Sequence, residues 1–262
     1  MMITHSLIRQ TPRCFSTSSR GNSPGGSFVP GLHIFHDFLP KSQQSELQKK
    51  AIDLYKAVLN TQVSSDLKRR KIFLSHSHNL KSDEYYRLIE IEDVPGKKIR
   101  GQHFEKYGED GHKLTYFIGN NNLPKFLRNS LVPRVLQIPE VMALRQDKTL
   151  NCNFTFNTYA KANERASKLA GFGFHKDIES NGELTVIYSI GAHSEFQIRY
   201  PNDEDKALTI PLLSHSLILL SKGARWDYEH RVIPVTIEDC SPLFQNEVET
   251  IRRISLVLGF AG

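Results

Sequence analysis

The second half of the chain alternates short apolar runs with turn signals. From residue 151 onward, segments rich in β-branched and aromatic residues are separated by Gly, Pro, Asn and Asp, which is typical of strands. The pattern predicts about eight strands, at residues 153–159, 170–175, 183–190, 196–200, 207–211, 215–221, 225–230 and 253–260. Evenly spaced short strands indicate a barrel or a double-sheet jelly roll.

The first half predicts helices that flank this sheet structure. Residues 31–39 alternate enough for a short strand, and Pro40 closes it. Ser42 can cap a helix in which apolar residues recur every three or four positions, so one face is buried. A second helix is predicted from residue 123, with Pro124 in its first turn. The fold class is therefore mainly β with flanking helices (α+β), a double-stranded β-helix or jelly roll of about eight strands.

Residues 62–122 have the least regular pattern. The segments 100–104 and 113–117 interleave aromatic residues with positive charge. Such a stretch could stack a nucleobase and touch phosphate, or it could form an ordinary half-buried hairpin. The residues alone leave both interpretations open.

Composition and charge set limits on the function. The chain has 262 residues, 39% of them hydrophobic and 24% charged, as in ordinary soluble proteins. No apolar run approaches the roughly 18 residues that a membrane span needs. Its three cysteines are far apart and odd in number, which argues against a disulfide framework and a zinc ribbon. The net charge of +6 permits an anionic partner without requiring one. A monomer is expected.

The first 28 residues have the composition of an organellar transit peptide. They contain Arg9, Arg13 and Arg20 and many Ser and Thr, and no acidic residue precedes Asp37. We expect residues 1–28 to be a mitochondrial presequence, cut after Phe15, with a linker, and residues 29–262 to be one domain. A merely disordered basic tail is the alternative, with nuclear or cytoplasmic localisation.

Two histidines and one aspartate suggest a metal site. His175 and Asp177 are two residues apart, so both side chains project to the same side of a strand. His230 follows 53 residues after Asp177 (230 − 177), at the end of a strand preceded by an apolar run. Two imidazoles and one carboxylate can occupy one face of an octahedral metal and leave three positions open, as in Fe(II) oxygen chemistry.

Arg253 suggests a carboxylate ligand beside that metal. It begins a strongly apolar strand, where a guanidinium is expensive to bury unless an anion satisfies it. Ser255 lies on the same face of the strand and could add a hydroxyl donor.

These residues together resemble the AlkB family of 2-oxoglutarate- and iron-dependent dioxygenases. The match consists of Asn157-Thr-Tyr159, His175-x-Asp177, His230 and Arg253-Ile-Ser255, in order and approximate spacing. The resemblance implies Fe(II), 2-oxoglutarate and dioxygen as cofactors, with Asn157, Tyr159, Arg253 and Ser255 around the keto acid. It also implies hydroxylation of a C–H bond, which becomes demethylation when an N-hydroxymethyl product loses formaldehyde.

The chain departs from this family at two positions. Gly259 stands where the family strand usually carries a second Arg, so another cation, Arg199 or Arg252, would have to replace it. Arg231 follows the distal histidine, where the family usually has Gly, and could narrow or redirect access of the substrate.

Four residues are candidates for substrate contact. Glu179 falls where some AlkB members have a second acid near the base, although a solvent-facing position is the simpler interpretation. Trp226 and Tyr228 could stack a substrate or pack in the core, and Arg231 lies beside the metal site.

The leading hypothesis is a mitochondrial AlkB-like dioxygenase that demethylates an N-alkylated nucleobase in RNA or DNA. The alternatives are the same chemistry on a protein side chain, and a binding module with weak or no turnover on the same fold. No membrane insertion is expected.

Overall fold

A computed structural model describes residues 29–61, 68–69, 85–105, 107–146, 149–161, 167–203, 206–233, 241–245 and 250–262. Residues 1–28, where we predict the presequence, lie outside these ranges. The described residues are mainly β with flanking helices, which confirms the predicted fold class.

The first half contributes five strands and four helices among the described residues. The strands are β1 Leu32–Phe35, β2 Lys68–Arg69, β3 Tyr85–Val94, β4 Lys97–Phe104 and β5 His112–Phe117. The helices are α1 Lys41–Asn60, α2 Lys125–Asn129, α3 Leu131–Val135 and α4 Pro139–Arg145.

The second half contributes the jelly-roll strands and one short helix. Its elements are β6 Asn151–Ala160, β7 Phe172–His175, β8 Leu184–Gly191, β9 Ser194–Arg199, β10 Leu208–Leu212, β11 Leu217–Leu220, α5 Lys222–Trp226, β12 Glu229–Ile233, β13 Phe244–Gln245 and β14 Thr250–Ala261.

The strands form two antiparallel sheets. The major sheet has the order β1-β11-β8-β14-β6-β5-β4-β3-β2, with β13 paired to β14, and the minor sheet has the order β10-β9-β12-β7. Apolar residues on the inner faces of both sheets pack against each other, among them Ile187, Phe196 and Val257. The opposite face of the major sheet is covered by α1 to α4 and forms the larger core.

One predicted strand is wrong. Residues 225–230 alternate in polarity like a strand, but the backbone turns through α5 before β12 begins at Glu229. Helical bonds from Arg225 to Ser221 and from Asp227 to Gly223 close this turn, and Ala224 donates to the carbonyl of Pro30. The contact with the N-terminal segment is long-range, so the local pattern could not show it.

The helix boundaries also differ from the predictions. The helix α1 begins at Lys41, and its N-terminus has no side-chain cap, so Ser42 lies inside the helix. The helix predicted from residue 123 is interrupted at Ser130, whose φ of −123° and ψ of −72° are not helical. The irregular region contains β3 to β5, which pair as an antiparallel extension of the major sheet. Its segments 100–104 and 113–117 therefore form a hairpin.

Alternation along β6 and β14 separates the core from a cavity. On β14, Ile254, Leu256 and Leu258 join the core beneath the helices, whereas Ser255 and Val257 line a cavity between the sheets. On β6, Asn157 and Tyr159 line the same cavity. The period of two along a strand thus places the polar residues of both strands on the face toward the minor sheet.

Candidate metal site and adjoining pocket

The three predicted metal ligands meet at one edge of the minor sheet. His175 ends β7 and is the direct Cα partner of His230 in β12, and their ring centroids are 4.3 Å apart. Asp177 lies two residues beyond His175, with Oδ1 3.9 Å from His230 Nε2. The ligand atoms of all three residues lie within 4.8 Å of one another.

The protonation states suit a divalent metal. His175 Nδ1 lies 2.8 Å from the Gly173 carbonyl, to which it donates, so Nε2 keeps its lone pair for an ion. Burial lowers the pKa of both histidines, that of His230 to about 3, and both rings are therefore neutral at pH 7. Burial also opposes ionisation of Asp177, but neighbouring groups, among them the positively charged Arg225, outweigh it and lower the pKa of this carboxyl group.

The Asp177 carboxylate also indicates that a cation fits the site. Its Oδ2 is buried and accepts no well-formed hydrogen bond among the described residues, although the Thr185 hydroxyl lies nearby. A buried carboxylate oxygen without a donor is costly, and a metal ion would remove that cost. The donor set of two imidazoles and one carboxylate fits Fe(II) with open positions.

A cavity of about 80 Å³ lies next to the three ligands. This volume is enough for several water-sized groups. Polar residues from β6 and β14 form one wall, and aromatic residues form much of the rest. The lining includes Asn157, Tyr159, Ser255, Phe104, Tyr107, Tyr116, Phe172, Gln102, Lys176 and Asn181.

Arg253 lies at the polar wall, behind the cavity lining. Its side chain is 1% exposed and its guanidinium stacks on the Tyr159 ring at 4.4 Å. Nη2 donates to Ser255 Oγ at 2.8 Å and Nε to Ser189 Oγ at 3.3 Å. Nη1 is buried and makes no well-formed hydrogen bond among the described residues, although Tyr159 lies close enough to the guanidinium to raise its pKa. Burial lowers the pKa of Arg253, and a carboxylate ligand would offset this penalty.

A β-bulge directs Arg253 toward this wall. In the pairing of β14 with β6, Ile251 is opposite Ala160 and Arg253 is opposite Tyr159, so Arg252 is the extra residue. The extra residue changes which face the following side chains occupy. Ile251 therefore packs in the helical core, while Arg253 faces the minor sheet. Ser255 is paired with Asn157, so all four predicted cosubstrate residues lie on two rungs of one face, with the Ile254–Thr158 rung between them.

His112 lies behind the cavity lining, where it supports Asn157 and Tyr159, and the sequence pattern did not reveal it. It is fully buried, stacks on Tyr159 at 4.8 Å, and places Nε2 3.0 Å from Asn157 Oδ1. Its Nδ1 lies 2.5 Å from the Tyr107 carbonyl. Burial lowers the pKa of His112 to about 4, so the ring is neutral at pH 7. A neutral ring donates from only one nitrogen, so the Asn157 amide satisfies Nε2 best with its NH₂ group toward the ring.

Gly259 lies on the same strand face as Arg253 and has no room for a side chain. A Cβ at this position would lie 2.6 Å from Cα, Cβ and the carbonyl oxygen of Asn181. The turn after Asp177 therefore occupies the space of the second arginine that the resemblance implies. Arg199 does not replace it, because it pairs with Glu229 and stacks on Phe174 outside the cavity.

Arg225 is the other residue that the sequence pattern did not reveal. It is 2% exposed and donates to backbone carbonyls of the turn that carries Asp177. Its neighbours in sequence suggested a strand, and nothing local indicates the carbonyls it reaches.

The four predicted substrate residues lie outside the cavity lining. Glu179 is exposed in the turn after Asp177. Trp226 is 38% exposed and stacks on Arg225. Tyr228 contacts the exposed Tyr200 ring, and Arg231 stacks on Phe174 at 4.5 Å and bonds to Gln197. Lys176 connects this outer surface to the cavity, because it lines the cavity and its Nζ donates to the Trp226 carbonyl.

Comparison with known proteins gives a family match. The profile described as the 2OG-Fe(II) oxygenase superfamily matches residues 31–258. The search of curated proteins gave no match. No helix of the described residues is both long and apolar enough to cross a membrane.

The search of solved structures returned matches of low sequence identity. The structure of OsALKBH1 has a TM-score of 0.47 at 15% identity, covering 89% of this chain and 100% of that one. A Trichoplax adhaerens prolyl hydroxylase, in complex with a hypoxia inducible factor oxygen degradation domain peptide fragment, has a TM-score of 0.45 at 16% identity, covering 88% and 83%. A Pseudomonas putida prolyl-4-hydroxylase has a TM-score of 0.42 at 10% identity, covering 88% of this chain and 92% of that one.

Proposed function

We propose, since this chain belongs to the 2OG-Fe(II) oxygenase superfamily, that it is a dioxygenase that demethylates an N-alkylated nucleobase in RNA or DNA. One observation carries the oxygenase assignment. His175, Asp177 and His230 line the cavity, and Arg253 lies directly behind Tyr159 and Ser255 of the same lining. Each of these two sites contains a buried polar atom without a well-formed hydrogen bond, which its ligand would satisfy.

The residues of the two sites have distinct roles in this reaction. His175, Asp177 and His230 would hold Fe(II), and Arg253 with Ser255 would bind the distal carboxylate of 2-oxoglutarate. Asn157 and Tyr159 would orient the keto acid between these two ends. The bound groups supply the oxidation, in which 2-oxoglutarate, O₂ and R–CH₃ give succinate, CO₂ and R–CH₂OH. A hydroxymethyl group on nitrogen then leaves as formaldehyde.

The cavity wall supports a planar substrate. Phe104, Tyr107 and Tyr116, from β4, β5 and the segment between them, contribute aromatic rings to the cavity lining. Such rings can stack a base that has been flipped out of a duplex or comes from a single strand. The net charge of +6 is compatible with a nucleic acid partner.

The predicted substrate residues outside the cavity would contact the part of the substrate that does not enter it. Trp226, Tyr228 and Arg231 lie on the outer surface that Lys176 connects to the cavity. We propose that this surface holds the strand that flanks the reacting base. Glu179, exposed in the neighbouring turn, would act only at the rim.

A protein substrate is the second candidate, and the shape of the cavity supports it. A narrow cavity of about 80 Å³ with a largely apolar lining also accepts an aliphatic side chain.

We further propose a mitochondrial location from the composition of residues 1–28. Fusion of these residues to a fluorescent protein tests this, and cytoplasmic or nuclear fluorescence would contradict it.

The first experiment measures succinate formed from 2-oxoglutarate by the full chain with Fe(II) and ascorbate. His175→Ala and Arg253→Ala should each abolish turnover, and Arg145→Ala, an exposed arginine of α4 outside the cavity lining, is the control. Iron binding without turnover, with or without candidate substrates, would support a binding module in place of an oxygenase.

The second experiment separates the two substrate classes. Single-stranded oligonucleotides with N-methylated bases and a mitochondrial protein extract are added separately and together, and the rate of succinate formation is compared. Formaldehyde release from the oligonucleotide supports the proposal. Stimulation by protein alone would replace it with the side-chain reaction.

A further inference from the structure

Arg225 is one of the most deeply buried large side chains of the described chain, although it is charged. Its nearest anionic groups belong to Asp177, Glu183 and Glu179, which raise its pKa, but burial dominates and lowers it. No salt bridge links it to a carboxylate among the described residues. A guanidinium buried in this way is costly unless its donors are all used.

All three nitrogens of the Arg225 guanidinium donate to one short turn, which uses three of its five N–H groups. Nη1 donates to the carbonyl of Asp177 at 3.1 Å, Nη2 to that of Ile178 at 2.7 Å, and Nε to that of Gly182 at 3.1 Å. We call residues 177–182 the carboxylate turn, because its first residue carries the Asp177 side chain. One planar group therefore fixes both ends of the turn.

The position of Arg225 in the chain adds a second constraint. It lies in α5, five residues (230 − 225) before His230, and α5 is anchored by the bond from Ala224 to the Pro30 carbonyl. The helix α5 thus leads directly to His230 and, through Arg225, holds the turn that carries Asp177. On its opposite side, the carboxylate turn packs on β14, with Asn181 directly over Gly259.

We propose that Arg225 is a positioning residue for the metal. It clamps the carboxylate turn against β14 and thereby sets the placement of the Asp177 carboxylate relative to His230. The role is indirect, since the guanidinium contacts the backbone of Asp177 and leaves both carboxylate oxygens for the ion. This inference rests on the metal site of the proposed function.

Metal affinity is the direct test. Binding of Co(II) to the metal-free full chain is followed by its absorption spectrum, which reports both affinity and coordination, and thermal unfolding is measured without metal. Arg225→Met should weaken Co(II) binding about 10- to 100-fold, as loss of groups that orient a ligand commonly does. Arg225→Lys, with a single compact ammonium group, should recover part of the affinity.

Gly259→Ala moves the same turn from the other side. The added Cβ would meet Asn181 at 2.6 Å and displace the turn, so the Co(II) spectrum should shift even though Arg225 is intact. Arg199→Met is the matched control, because Arg199 is a half-buried arginine that pairs with Glu229 away from the turn. Its Co(II) affinity should match that of the parent chain.

The outcomes are distinguishable. Unchanged Co(II) affinity and spectrum in folded Arg225→Lys and Gly259→Ala would overturn the proposal, even if thermal stability fell, because stability alone would indicate only a structural role. If Arg225→Met fails to fold, those two variants decide. If the parent chain binds Co(II) no better than His175→Ala does, that result would instead contradict the metal site itself.

Discussion

The two sides of the cavity are built by different means. On the side of the major sheet, Asn157, Tyr159, Arg253 and Ser255 lie on two paired strands with neighbours on both sides and a helical layer behind. On the side of the minor sheet, the metal ligands come from a strand end, a turn and a strand that follows a short helix. The candidate anion site is therefore held by the hydrogen bonds between paired strands, whereas the candidate metal site depends on side chains, such as Arg225, that bridge separate segments.

This difference predicts which changes affect one side only. A substitution in β6 or β14 should alter cosubstrate affinity with little effect on metal binding. A substitution in the carboxylate turn should have the opposite effect.

The largest effect is expected for Asp177→Ala. Metal binding and turnover should be lost, because the site keeps only two neutral imidazoles. The unfolding temperature of the metal-free chain should fall modestly, since the lowered pKa of Asp177 means that its ionised carboxylate stabilises the fold at neutral pH. Metal titration and thermal unfolding are the measurements, and exposed Glu183→Ala is the control. Retained metal binding would contradict the ligand assignment.

Arg253→Met should raise the KM for 2-oxoglutarate at least about 30-fold. Truncating one partner of a buried charge pair costs about 2–5 kcal/mol, and about 1.4 kcal/mol corresponds to tenfold. Metal affinity without the keto acid should stay within about twofold, because Arg253 contacts none of the three ligand residues. Steady-state kinetics and metal titration check both parts. Equal loss of metal binding would show that the two sides are not separable.

The candidate metal ligands and the candidate 2-oxoglutarate residues could be predicted from the sequence because each set has a local pattern. His175 and Asp177 have the spacing of one strand face, and an arginine at the start of an apolar strand calls for an anion. The eight-strand jelly roll was predictable for the same reason, since seven of the predicted strands have clear polarity patterns and boundaries close to those observed.

The residues that support these two sets could not be predicted. Arg225 bonds to carbonyls 43 to 48 positions away in the chain, and His112 reaches Asn157 across 45 positions. Backbone carbonyls carry no sequence signal, and neither does a strand pairing that depends on the whole sheet. The close approach of Asn181 to Gly259 is equally invisible, although a glycine inside a strand signals such contacts in general.

His112→Phe should weaken 2-oxoglutarate binding by about tenfold. Phenylalanine keeps the stack on Tyr159 but leaves the Asn157 amide unpaired, which costs about 1–3 kcal/mol when buried. The comparison is His103→Phe, another buried histidine of the same sheet extension, which bonds to Thr115 away from the pocket. Equal changes in KM for both variants would mean that sheet stability, and not Asn157, is responsible.

Stability of the metal-free chain should fall as the pH decreases from about 6.5 toward 4. Burial lowers the pKa of His112 to about 4 and of His230 to about 3, below the value of about 6.5 in the unfolded chain. The unfolded state therefore binds more protons in this range, and stability present above pH 6.5 is lost on acidification. Urea unfolding between pH 7.5 and 4.5 measures the slope. His112→Phe should flatten it, and an unchanged slope would contradict a neutral buried His112.

The smallest effect is expected for Arg231→Gln, on the outer surface of the minor sheet. Its guanidinium stacks on Phe174 and bonds to Gln197, so it does not reach the reacting group. If the strand that flanks a methylated base lies here, the KM for an oligonucleotide should rise about two- to fivefold, with kcat unchanged, because an exposed ionic contact contributes at most about 1 kcal/mol. The increase should shrink as salt is added. A fall in kcat of tenfold or more would place Arg231 beside the metal, and the separation of the outer surface from the two inner sites would fail.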